Sequence, residues 1–149
     1  MANEIFLPLA VGGGIRTEED AAAAIERNGF DSVWVRDHLV FHPHGMEGTD
    51  RTFIEPFITL SFLAGATSTI GLGAATIIPF RHPILMAYMV GSMSWLSRRR
   101  FDLGVGAGNF QHEFDVINQS DIDRPKMMKE QVLIARELLG VDQFFLEHG

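Results

Sequence analysis

Asp37 and His38 stand side by side, one residue after Val33, Trp34 and Val35. A histidine moves a proton near neutral pH, and a carboxylate next to it can help hold a ligand. Val, Trp and Val suit a buried parallel strand, whereas Arg36, Asp37 and His38 do not. In parallel α/β folds the carboxyl ends of strands are where function gathers. The same residues also fit a strand end that turns polar on reaching solvent, and residue types alone leave both readings open. A second grouping is Gly104-x-Gly106-x-Gly108-Asn109. It lacks dinucleotide-fingerprint spacing, and no second strand carries an acid about 20 residues on. By itself it reads as a tight strand-to-helix turn. A third grouping is His42, His44 and His112 with Glu47, Asp50 and Glu113. His42-Pro43-His44 has no helical ligand spacing, so a polar loop is expected and no metal.

The elements that would hold these residues alternate. Glu4 to Val11 reads as a strand ending at Gly12-Gly13-Gly14. Thr17 opens a helix with Asp20 as its capping partner, and Asn28-Gly29 stops it. Phe30 to Arg36 is the second strand, followed by a long loop from His38 to about Arg51. A helix from about Glu55 to Ala66 leads to a strand at Ile70 to Ile78. Pro79 to Pro83 connect to a helix ending near Leu96. The fourth strand is Phe101 to about Ala107. A short helical piece covers Gln111 to Ile117. The last helix starts at Asp123 as N-cap, with Pro125 in its first turn, and ends at Gly140. Val141 to Phe145 could add one short strand. Four β-α units imply a parallel sheet with right-handed crossovers. An open doubly wound sheet and a (β/α)₈ barrel both fit, but the barrel needs about 250 residues.

Composition sets the limits. The 149 residues are 46% hydrophobic and 21% charged, which is globular and enough for one domain, residues 1–149. The formal charge of −7 and the absence of a basic stripe argue against nucleic acid as a partner. Arg98, Arg99 and Arg100 form the only basic run, and they read as favourable charge at a helix C-terminus. No cysteine is present, which excludes disulfides, thiolate metal sites and a cysteine nucleophile. Positions 56 to 80 hold no charge, yet Pro56, Thr67 to Thr69, Gly71, Gly73 and Pro79 break the run. A buried helix followed by a buried strand is expected there, not a membrane span. The N-terminus lacks the basic start of a signal peptide, so a cytoplasmic protein is expected. Arg81, the only charge between Glu55 and Arg98, needs a partner or solvent, and a structural ion pair is expected.

Three blocks, GFDSVWVRDHL, EPFITLSFLAGATSTIGLGAATIIPFRHP and LSRRRFDLGVGAGNF, resemble the luciferase-like monooxygenase superfamily of flavin- and F420-dependent enzymes. They run in order over nearly the whole chain. The resemblance implies half of a (β/α)₈ TIM barrel, a (βα)₄ unit covering the N-terminal half. It implies F420 or FMN as cofactor and a small organic substrate, with His38 catalytic as an acid/base or polarising group. Asp37 would bind the cofactor beside His38 at the ring, and the Asp-His pair tilts the choice toward F420. Ala75 and Thr76 would lie against the ring, in a stretch that sometimes carries a cis peptide in the family. Small residues there suit a flat ring pressed on backbone, or else make room for packing. Gly106, Gly108 and Asn109 would approach the ring or its ribityl chain. Two departures are visible. Ser97-Arg98-Arg99-Arg100 replaces a usual Ser-Gly-Gly-Arg, and Asp102 interrupts an apolar strand, marking an open surface or pairing with an arginine. Strands five to eight and their phosphate loops are absent from this sequence. Open edges at strands one and four then predict a homo-oligomer, with Ile84, Leu85, Met89 and Met93 available to a partner or to the chain's own sheet. A non-catalytic half barrel that only assembles, or binds ligand weakly, is the competing expectation.

Overall fold

The structure, a computed structural model, describes residues 4–6, 24–40 and 54–140. The expected N-terminal helix start at Thr17, the His42/His44 loop and the tail at 141–145 lie outside the described residues. So do positions 7–11 of the first expected strand.

Four strands form one parallel sheet in the order β1-β2-β3-β4. They are β1 (Glu4–Phe6), β2 (Ser32–Val35), β3 (Gly71–Ile77) and β4 (Phe101–Val105). The helices are α1 (Pro56–Ala66), α2 (Pro83–Leu96), α3 (Gln111–Asp115) and α4 (Arg124–Leu139). A helical turn at 24–27 precedes β2. Each long helix starts where a side chain takes an orphan backbone N–H. The Glu55 carboxylate accepts from Ile58, His82 Nδ1 from Ile84 and Asp123 from Lys126. Pro56, Pro83 and Pro125 occupy the first turns, where a missing N–H costs nothing. Gly140 ends α4 in the left-handed region at φ 62°.

The period of two sorts the strands' side chains. Val33, Val35, Leu72 and Ala74 are buried in one core with Leu60 and Leu63 of α1 and Met86, Val90 and Met93 of α2. Truncating a buried leucine such as Leu60 to alanine removes about 2–5 kcal/mol from such a core. Trp34 and Gly73 pair in register on the opposite face. The Trp34 ring lies so close over Gly73 that a Cβ there would fall 2.3 Å from it. Asp102 also pairs with Gly73 and is exposed, as an open face predicts.

Within the arginine run, Arg100 brings its charge to helix C-termini as expected, and to two of them. Arg100 donates to Ser97 O at the end of its own helix, but its Nη groups reach Ala64 O, Thr67 O and Ile70 O. It therefore satisfies the C-terminal carbonyls of α1 and ties them to the start of β3. Arg98 and Arg99 adopt φ of 55° and 65°, the backbone region that glycine prefers. The neighbour Ile84 is 54% exposed and Leu85 60%, whereas Met93 is buried and Met89 packs against the core. The expected partner-facing quartet is thus divided between solvent and the chain's own sheet.

Candidate functional site

Asp37, His38, Ala75, Thr76, Gly106, Gly108 and Asn109 all lie at the carboxyl ends of β2, β3 or β4. Asp37 follows β2 and is 3% exposed. Its Oδ2 accepts the Ile78 N–H at 2.9 Å and Arg81 Nη1 at 2.6 Å, and its Oδ1 accepts Arg81 Nη2 at 2.9 Å. Arg81 Nη2 also donates to Glu55 Oε1 at 2.7 Å, and its guanidinium stands over the Phe57 ring. Burial works against the Arg81 charge, yet hydrogen bonds and attraction from Asp37 and Glu55 hold its pKa above the ordinary arginine value. The expected structural ion pair at Arg81 is therefore present, and Asp37 is its partner. Asp37 thereby ties the end of β2 to the residue just after β3.

His38 is oriented differently. Its side chain is 16% exposed, and Nδ1 lies 3.2 Å from Oε1 of Glu113, whose side chain is 2% exposed. The same Oε1 accepts the Leu39 N–H at 2.9 Å. The Phe110 ring packs 5.8 Å from the imidazole, centroid to centroid. Glu113 and Phe110 come from α3 and the residue that caps it. The sequence offers Glu113 only as a metal donor. Its available signal was position: Phe110, Glu113 and Phe114 share one helical face, so a carboxylate sits on the apolar side of a short helix. Among the described residues no group of three or more His, Cys, Asp or Glu could hold a metal ion.

The ends of β3 and β4 meet tightly. The Ala75–Thr76 peptide is cis, in the stretch that sometimes carries one in the family. The register between β3 and β4 shifts from Ala74 to Ile77, and Gly106 N–H donates to Ile77 O at 3.0 Å. A Cβ on Gly106 would fall 2.4 Å from Thr76 Oγ1. Gly108 has φ +81°, and a Cβ there would meet Ile78 and the Phe114 ring. Both glycines are thus required by the protein's own packing. Asn109 is exposed at the turn, next to Phe110. Because Phe110 touches His38, the β2 and β4 ends share one rim. Two open grooves among the described residues lie on the outer helices around Tyr88, Ser92 and Trp95.

An open parallel β/α sheet with a histidine, a cis peptide and a glycine turn on one rim defines a segment of a β/α-barrel enzyme fold. The sequence profile of the luciferase-like monooxygenases matches residues 2–146, and the chain belongs to that family. It is 29% identical over 106 residues to the alkanal monooxygenase alpha chain of Photorhabdus luminescens, covering 70% of this chain and 27% of that protein. Its fold matches the FMN-bound oxygenating constituent of 3,6-diketocamphane monooxygenase from Pseudomonas putida, with TM-score 0.75, 19% identity and coverage of 99% and 42%. It also matches an F420-dependent secondary alcohol dehydrogenase in complex with an F420-acetone adduct, with TM-score 0.68, 26% identity and coverage of 88% and 40%. The chain therefore spans well under half the length of these proteins, and its open sheet matches part of their barrel. Among the described residues no helix is long and apolar enough to cross a membrane.

Proposed function

We propose that this chain supplies the cofactor-side rim of an oxidoreductase that uses F420 or reduced FMN on a small organic substrate. The observation that carries the reading is the convergence of His38, Ala75–Thr76 and Gly106–Asn109 on one rim. The residues fit a flat ring. Between Gly73 and Thr76 and between Gly104 and Gly108 no long side chain stands up, and Asn109 offers an exposed amide. When bound, the cofactor supplies a hydride or, as reduced flavin, activates oxygen. His38 would hold or release the proton that accompanies that chemistry. Asn109 would hydrogen-bond the ring edge or its ribityl chain, and the Ala75–Thr76 backbone would support the ring face. Asp37 enters as the anchor of the rim, because Ile78 N–H and Arg81 take its oxygens. The pair Asp37-His38, and the 26% identical F420-dependent relative, favour F420.

The reading extends to assembly and place. The outer strand edge of β4 and the uncharged faces of α1 and α2 suit a homo-oligomer, and the absence of cysteine suits the cytoplasm. A non-catalytic assembly module is supported by one observation, the broad apolar surface of Ile58, Phe62, Tyr88 and Trp95 on the outer helices. Calorimetric titration with F420 and with FMN separates the two. Saturable micromolar binding of either, weakened about tenfold or more in His38→Ala or Asn109→Ala, supports the oxidoreductase. No heat with either cofactor at high protein concentration would end it.

A further inference from the structure

His38 does not meet solvent as an unconstrained loop histidine. Three observations fix its surroundings. Glu113 is a buried acid at the rim, with its side chain 2% exposed. Its Oε1 is committed as an acceptor, because it takes the Leu39 N–H at 2.9 Å. That same oxygen lies 3.2 Å from His38 Nδ1, and Phe110 closes on the ring from the side. A carboxylate carries acceptors only, so the Glu113 Oε1 that takes the Leu39 N–H presents a second lone pair to its next neighbour. The hydrogen bond between Nδ1 and Oε1 is satisfied only when Nδ1 carries the hydrogen.

We infer that Glu113 is a positioning residue that locks neutral His38 in its Nδ1–H tautomer, leaving Nε2 as the nitrogen that accepts a proton. A neutral imidazole has one donor and one acceptor nitrogen, so fixing one assigns the other. The consequence for the site, which rests on the oxidoreductase reading above, is directional. A substrate O–H breaks, its electron pair stays on oxygen, and the proton forms a new bond to Nε2. The resulting imidazolium keeps Nδ1–H toward the Glu113 carboxylate, which offsets its charge across a buried contact. Leu39 N–H holds the carboxylate in place during that change. The helix α3 is then the element that aims the histidine, although it contributes no atom to the reacting centre.

The test is the tautomer itself, read without cofactor. The whole chain is labelled with ¹⁵N-histidine, and long-range ¹H–¹⁵N correlations are recorded above neutral pH. His38→Gln identifies the His38 signals by their loss. The wild type should show a pyrrole-type Nδ1 and a pyridine-type Nε2 at His38. Glu113→Gln keeps an acceptor oxygen and should retain that pattern. Glu113→Ala removes the acceptor, and the dominant hydrogen should move to Nε2. If Glu113→Ala does not fold, the wild-type spectrum still decides: an Nε2–H tautomer at His38 overturns the inference. So does a folded Glu113→Ala that keeps Nδ1–H. Absent cofactor binding with an Nδ1–H histidine would remove the enzymatic reading and leave the dyad standing.

Discussion

Asp37 and His38 are adjacent in sequence, yet they belong to different networks. One turns inward to Arg81 and the other across to Glu113. Sequence showed that both sat at a strand end, but it could not show this divergence, because both partners lie more than 40 residues away. Replacing Asp37 by alanine leaves Arg81 with only Glu55, its partially exposed partner. Such a loss from a buried pair costs about 3–5 kcal/mol, so Asp37→Ala should unfold at clearly lower urea. Asp37→Asn should fall between, since the amide keeps one acceptor for Ile78 N–H.

Glu26 gives the pH dependence at this scale. Its Oε1 accepts the N–H groups of Ser68, Thr69 and Ile70 and the Thr69 hydroxyl. The backbone bond from Thr69 is the largest influence, and together these bonds outweigh desolvation and hold its pKa down to about 2. A folded pKa below the unfolded value of 4.5 means the contribution is complete above pH 4.5 and fades as pH falls toward 2. Glu26 is half-buried at the surface, so solvent screening keeps the effect modest. Urea midpoints of the wild type and Glu26→Gln should differ at pH 7 and converge near pH 2.5. A difference that persists at low pH would contradict this.

At the scale of elements, two approaches decide whether the rim forms. The first is β3 against β4. A Cβ at Gly104 would lie 2.7 Å from Ala74 O, a backbone atom with no freedom to retreat. Gly104→Ala should destabilise by about 1–3 kcal/mol and separate the strands where the rim residues sit. Thermal unfolding followed by circular dichroism measures the first effect. The second approach is the turn into β4. Arg98 and Arg99 hold positive φ, which costs an L-residue about 1–2 kcal/mol each. Both side chains are exposed, so substitution removes no buried packing. Arg98→Gly or Arg99→Gly should therefore stabilise by about 0.5–1 kcal/mol after glycine's own entropy loss. Unchanged or lower urea midpoints would refute the strain argument.

The elements themselves were legible because each carried its own punctuation. Glu55-Pro56, His82-Pro83 and Asp123-x-Pro125 announced three helix starts, and all three are caps in the structure. Strand ends were read too long, to Ile78 and Ala107, because apolar composition continues past the last ladder bond. The candidate rim could be read for the same reason as the strands, since strand ends define it. Its second layer could not. Glu113 and Phe110 reach His38 across the sheet, and no local pattern records which strand end a short helix will lean on.

The whole molecule shows an imbalance of surfaces. A net charge of −7 is carried by a chain whose α1 and α2 hold no charged residue at all. Ile58, Ile84, Leu85, Tyr88 and Trp95 are each more than half exposed on those helices. A contiguous apolar face of this kind marks an association surface in soluble proteins. Light scattering should find a dimer or larger species, and Tyr88→Glu with Trp95→Glu should shift it toward monomer. A wild type that remains monomeric at high concentration would refute the association. The parallel sheet and its core follow from alternating strands and helices, which sequence displays plainly. The apolar helix faces were equally visible, but sequence left Ile84, Leu85, Met89 and Met93 to a partner or to the chain's own sheet, since an apolar helix does not reveal how many sides it must cover.

The two tryptophans happen to watch different faces. Trp34 lies flat on Gly73, with its indole N–H bonded to Ser32 Oγ, on the side of the sheet that no described helix covers. Trp95 is 80% exposed on α2. Iodide quenching therefore reads Trp95 first, and association through the helices shields it. Anything that fills the Trp34 side of the sheet perturbs the emission of Trp34 instead, so one chain carries separate optical reporters for assembly and for occupancy.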